Sequence, residues 1–214
     1  GKFATAFSFL KAIKPFIRIG YKELTQDKSA FNSAMSYTLK RAVTGSGKEI
    51  KIDFDRALVS MGTLMPIFEG AATVSNHQMT FNWKDNSGMG NAERTDIVMV
   101  LVYNKDREAA VYDTEAALRS DCHAGLQLPE DWQDDELVAY LSFCSTDGNC
   151  VANSICLPIS VIEIPEEEID VQTESIDTTH KRILPDKRTV HQSRITVHSL
   201  SAPPNEIQTY RCET

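Results

Sequence analysis

Cys122-His123 is the one place in this chain where a cysteine and a histidine are neighbours. Nucleophilic catalysis needs a Ser or Cys held within hydrogen-bond reach of a base, and adjacent residues tend to point apart, so the adjacency counts against a dyad. His77, His180, His191 and His198 have no cysteine beside them, and a structural or surface role is expected for each. Around Trp132 the acids Glu130, Asp131, Asp134, Asp135 and Glu136 supply the carboxylates a glycosidase would pair. Placed just after Pro129, they read better as a solvated connector, because nothing marks one of them as buried enough to raise its pKa. Trp132 itself is expected to plug the end of the fold, with surface binding as its other possible role.

Thr44-Gly45-Ser46-Gly47-Lys48-Glu49 has the Gly-Lys pair of a phosphate loop, but Ala42 and Glu49 stand where that loop requires Gly and Ser or Thr. A helix C-cap and a flexible turn are expected there instead. Gly88-Met89-Gly90 follows a strand pattern, yet a polar segment and another strand come after it rather than a helix, which sets dinucleotide binding aside. Asp85, Asn86 and Asp96 gather the oxygens calcium prefers, although such residues also cap turns without an ion, and that is the preferred reading.

Five cysteines leave at least one unpaired within the chain, and Cys144, Cys150 and Cys156 do not have paired zinc spacing. If Leu141 and Phe143 face the core, alternation turns Cys144 outward, where Cys150 can meet it across Thr146-Asp147-Gly148; a cross-strand disulfide is conceivable there. No catalytic set, metal site or cofactor site emerges.

The elements that would carry these residues are easier to read. From Phe3 to Ile19 the positions Phe3, Ala6, Phe7, Leu10, Ile13, Phe16 and Ile17 form a helical stripe, which Pro15 should end or kink at Lys14. Ser29 is a plausible N-cap for a second helix through Phe31, Ala34, Met35, Leu39 and Ala42. Ile50, Ile52 and Phe54, then residues 57–60, suggest one or two entering strands. Four clearer runs follow at 79–83, 97–103, 137–143 and 151–157, each ended by Asp, Asn or Gly turns, with 108–112 pairing onto 97–103. About seven such strands in roughly a hundred residues suit an antiparallel sandwich of immunoglobulin or fibronectin type.

Past Ile164 the acids Glu166, Glu167, Glu168, Asp170, Glu174 and Asp177 make a linker, and one alternating segment from Val190 through Ile195 to Val197 is an edge-strand candidate. The expected layout is a helical segment over 1–48 packed on a sandwich over 49–164, an acidic linker over 165–189 and an extension over 190–214. With 214 residues and 42% apolar composition a real core is available without a metal. A net charge of -8, with no basic stripe to offset it, argues against nucleic acid. No stretch approaches the roughly twenty apolar residues of a membrane span. The opening Gly-Lys inside a helical pattern suggests a trimmed form that has lost a targeting segment, so localisation stays open, with an extracytoplasmic place slightly favoured.

Ser29-Ala30-Phe31-Asn32-Ser33-Ala34 with Tyr37, Ala42-Val43-Thr44-Gly45, Ile52-Asp53-Phe54 and Ser60-Met61-Gly62 together resemble a family of uncharacterised Bacteroidota proteins, a domain of unknown function. The resemblance continues through Phe81-Asn82-Trp83-Lys84-Asp85-Asn86-Ser87-Gly88, Asp96, Val102-Tyr103-Asn104, Tyr140-Leu141-Ser142-Phe143, Asp147-Gly148 and Ser154, covering about residues 3–157. It implies a helical part followed by a sandwich and carries no catalytic residue. Two features depart from it: a Gly-rich, Trp-containing start is absent, and the tail after Glu163 has no counterpart.

The function expected is therefore non-catalytic interaction or assembly at a cell surface, in the periplasm or in a phage-like or fibrous particle. A protein partner or a second copy would be engaged by strand addition through Val190, Ile195 and Val197. The alternative is a carbohydrate- or peptide-binding module using Trp132 and the loop after Trp83.

Overall fold

A computed structural model describes residues 1–163. Three helices come first: α1 (Lys2–Ala12), α2 (Lys14–Gly20) and α3 (Ala30–Arg41). The expected first helix is two, because the chain breaks at Ile13 (φ -120°, ψ 19°) and restarts with Pro15 in the first turn of α2, where a missing N–H costs nothing. Ser29 caps α3, its hydroxyl accepting from the Asn32 amide at 3.1 Å.

The strands are β1 (Val43–Thr44), β2 (Lys51–Ile52), β3 (Phe68–Ser75), β4 (Gln78–Lys84), β5 (Ile97–Asn104), β6 (Ala109–Leu118), β7 (His123–Gln127), β8 (Leu137–Cys144), β9 (Ile155–Leu157) and β10 (Ile159–Val161). β1 and β2 form a small antiparallel ribbon. The rest make two four-stranded sheets, ordered β10-β3-β4-β7 and β6-β5-β8-β9. The chain is thus mainly β, a sandwich with helices ahead of it, as the sequence patterns require.

Several expectations change in detail. Residues 57–60 are not a strand, and of 151–157 only the last three residues are one, Val151 making a single bridge to Cys144. β3 and β7 were not anticipated. The sandwich is not wholly antiparallel, since β10 runs parallel to β3, with Ile159 beside Ala72.

Each sheet's sequence reflects what covers it. In β4 the side chains of Met79, Phe81 and Trp83 are buried while their neighbours are half-buried, the alternation of a sheet with one covered face. β5 and β8 are buried at every position after the first. Val98, Val100, Val102, Leu141 and Phe143 face the other sheet, whereas Met99, Leu101, Tyr103, Val138 and Tyr140 pack with Phe9, Leu10, Ile13, Phe16 and Ile17 of the helices. Residues 1–163 are therefore three layers deep, with the β6-β5-β8-β9 sheet in the middle. Continuous apolar runs are what a strand buried on both faces needs.

The two sheets are joined at both sides by chain that crosses between them. On one side β9 ends the middle sheet, Pro158 turns the backbone, and β10 begins the outer one, with the Pro158 carbonyl accepting from the Ala72 amide at 3.0 Å. On the other, the short turn Arg119–Asp121 carries β6 into β7.

Candidate functional site

The most concentrated polar chemistry sits under that second crossing. The Arg119 side chain is fully buried. Its Nε donates to Asp96 Oδ2 at 2.9 Å, Nη1 to Asn86 Oδ1 at 2.7 Å and Nη2 to the Met65 carbonyl at 2.7 Å, and the guanidinium lies 3.8 Å from the Phe143 ring centre. Asp96 is also buried; its Oδ2 accepts the Glu93 amide, and its carbonyl accepts the Arg119 amide. The Arg119 carbonyl takes the Trp83 indole N–H at 2.8 Å. Burial pushes the guanidinium pKa down, and the Asp96 hydrogen bond and charge work against that. Asn86 and Asp96 thus gather around a cation as the sequence hinted, but the cation is Arg119 and not calcium, while Asp85 caps its turn through the Ser87 amide at 2.9 Å. Such a cluster locks four chain segments together, and Arg119, Asp96 and Asn86 are all buried in it.

Three of the five acids near Trp132, Asp131, Asp135 and Glu136, are likewise paired with cations. Arg107, in the β5–β6 turn, donates from Nη1 to Asp131 at 2.7 Å and from Nε to Asp135 at 2.5 Å, and the Asn104 amide also donates to Asp135 at 2.8 Å. The Asn104 amide and then the Arg107 guanidinium hold the Asp135 carboxyl below its usual value, the reverse of what a general acid needs. Trp132 is 6% exposed and packs into the core between the sheets, so it plugs the sandwich and offers no ring to a ligand. Trp83 is 1% exposed.

Residues 45–50 connect β1 to β2, so a turn stands there as expected, but the expected helix C-cap is corrected, since α3 ends at Arg41 and its cap is Ala42. Gly45 there has φ 82°, with the Glu49 carbonyl where a Cβ would sit. Cys122 is buried with φ 61° while His123 is exposed with its Nδ1 near the Asp121 carbonyl, so the pair does point apart. Cys144 and Cys150 do not meet. Cys144 lies opposite Val151 and packs with the helical layer, whereas Cys150 sits against the inter-sheet core, so the two thiols are on opposite faces and are free.

An open groove of about 830 Å³ runs beside the helical layer, lined among others by Phe9, Lys51, Asp53, Asp55, Lys105, Glu108 and Cys156. No histidine lines it. The Cys156 thiol is pushed up to about 12, first by burial and then by the Asp55 carboxylate, so it stays protonated and is no nucleophile. A buried hydroxyl pair, Ser60 and Ser142 at 2.6 Å, shares the Ala152 carbonyl and is tied to no base. Among the described residues no group of three or more His, Cys, Asp or Glu is arranged to hold a metal, and no helix is long and apolar enough to cross a membrane. Val190, Ile195 and Val197, with the linker before them, lie outside the described residues.

Fold and polar clusters together define a helix-covered β-sandwich pinned by buried side chains. The chain belongs to a family of unknown function, DUF6266, whose model matches residues 1–158. No curated protein matches it.

Proposed function

We propose that this protein is a non-catalytic interaction or assembly module, working at a cell surface, in the periplasm or in a phage-like or fibrous particle, and that it engages a protein partner or a second copy by strand addition. The observation that carries the reading is the β10 side of the outer sheet, which no other described strand covers. Among the described residues β10 is its last strand, paired with β3 only, and Val161 at its end and Ile162 just after it are 72% and 42% exposed. A sheet edge with unpaired N–H and C=O groups and apolar side chains is a template for another strand. The segment with Val190, Ile195 and Val197, the last two spaced to share one face of an extended strand, supplies a candidate donor.

The energetics set a condition on this. A seven- or eight-residue strand buries a few apolar side chains, each worth about 1.5–3 kcal/mol, against about 1–2 kcal/mol per residue for ordering the backbone. The balance is near zero, so the edge must be preformed, as β10 is. Light scattering on the full chain, on a chain ending at Glu163 and on Val161→Lys tests it. Self-association by the full chain and a monomer for both variants is the expected result; an identical mass in all three removes the assembly reading. The aromatic-loop alternative has no support, because both tryptophans are buried. An extracytoplasmic setting and a Bacteroidota source belong to this proposal too.

A further inference from the structure

The overall charge of -8 conceals a sharp division. Residues 1–51 hold ten Lys and Arg against three Asp and Glu, a net +7, so the acidic surplus lies entirely in the rest of the chain. The basic residues are therefore concentrated on the helical layer and its ribbon, and the expectation that no basic surface offsets the net charge is corrected. Lys2, Lys11, Lys14, Arg18, Lys40 and Arg41 are all exposed.

On the same layer the chain exposes aromatic rings. Phe3 and Phe7, one turn apart on α1, are 64% and 41% exposed and stack with centres 6.2 Å apart at 14°. Phe7 meets Phe31 of α3 edge-on at 5.9 Å, and the Lys14 ammonium lies 5.8 Å from the Phe31 ring centre. Lys11, one further turn along, extends the Phe3–Phe7 stripe. Glu108 stands at the flank, where its carboxylate accepts from Ser8 at 2.9 Å. The opposite face of α1 is spent in the core through Ala6, Phe9 and Leu10, so the outward rings are extra to the core contact of this helix.

We propose that this face docks the protein on an anionic phospholipid surface, Phe3 and Phe7 entering the interface while Lys11, Lys14 and their basic neighbours meet the headgroups. Apolar rings ringed by ammonium groups match an interface that is apolar below and negative above. Single-stranded nucleic acid fits less well, because base stacking needs open ring faces and these rings turn faces and edges onto one another. The site is separate from the sheet edge at β10.

The test is co-sedimentation of the full chain with vesicles of phosphatidylcholine alone and of phosphatidylcholine mixed equally with phosphatidylglycerol. Binding to the mixed vesicles only, weakening as salt is raised, is expected. The Lys11→Glu, Lys14→Glu variant removes two charges each worth about 1 kcal/mol near such a surface, a loss of about thirtyfold in partitioning before the added repulsion. The Phe3→Ser, Phe7→Ser variant should lose binding while still unfolding cooperatively, its melting temperature lowered only by the lost Phe7–Phe31 contact. Failure to bind mixed vesicles, equal binding to neutral ones, or binding untouched by both variants overturns the proposal. So does binding of a single-stranded oligonucleotide that the phenylalanine variant abolishes while vesicle binding persists.

Discussion

Removing the Arg119 side chain leaves the Asp96 carboxylate buried with one backbone donor and no countercharge. An uncompensated buried charge of this kind costs about 3–5 kcal/mol, so Arg119→Ala should shift the urea midpoint far more than truncation of exposed Arg107. Replacing both ends, Asp96→Asn with Arg119→Met, should recover most of the loss, since two buried charges are then no longer desolvated. Equal destabilisation by the single and double variants would show that the packing of the guanidinium on Phe143, and not the charge, is what the site needs. Half of this cluster was legible in the sequence. Asn86 and Asp96 stood out as oxygens near one loop, but Arg119 follows Ala116-Ala117-Leu118 with nothing to mark it, and arginine is ordinarily an exposed residue. The cysteines failed for a related reason: a one-residue offset in the Cys144 bridge decides which face Cys150 occupies, and spacing alone does not reveal it.

Among the elements, the β3–β4 hairpin is the clearest example of a hidden signal. Ser75 pairs with Gln78, leaving Asn76 and His77 as a two-residue loop with φ of 47° and 59°. Both central residues of such a turn need positive φ, which is why Asn-Gly is its usual mark. Here histidine stands in the glycine place, and β3 carries its β-branched residues, Thr73 and Val74, only at its end, after Glu69-Gly70-Ala71-Ala72, which has no strand-like alternation. His77→Gly should relieve about 1 kcal/mol of left-handed strain, partly offset by the greater freedom of the unfolded chain; a lowered melting temperature would mean the imidazole contributes more than its backbone costs. A second link between elements titrates. Glu23, after α2, accepts from the Thr63 amide and hydroxyl at 2.9 and 2.6 Å and from the Val151 amide at 2.9 Å. Burial, the largest single influence, works against its charge, but these hydrogen bonds together outweigh it and hold the carboxyl below its usual value. A depressed folded-state pKa stabilises above the unfolded value, about 4.3 for Glu, and that contribution is lost as pH falls through the folded pKa. Wild type should therefore lose stability relative to Glu23→Gln in acid titrations below about pH 4. Parallel unfolding curves for the two down to pH 3 would contradict it.

At the scale of the molecule, the helices and the sandwich make one stack of three layers, and the middle sheet has no solvent face of its own. The two-layer sandwich was readable from turns and alternation, and so was the presence of helices. That those helices form a full third layer was written in the unbroken apolar runs of β5 and β8, which a strand with one wet face could not tolerate. This makes the helical segment a structural necessity and not an appendage. A chain that starts at Glu49 would expose Met99, Leu101, Tyr103, Val138 and Tyr140 together, five large side chains that are all at least 94% buried in the intact protein. Each is worth about 1.5–3 kcal/mol when withdrawn from water, so their combined exposure is comparable to the whole stability of an ordinary domain. The truncated protein should collect in the insoluble fraction, or elute as large aggregates on size exclusion, while the full chain does not. A soluble, sharply melting monomer from Glu49 onward would mean that the sandwich stands alone and that the helical layer covers it without supporting it.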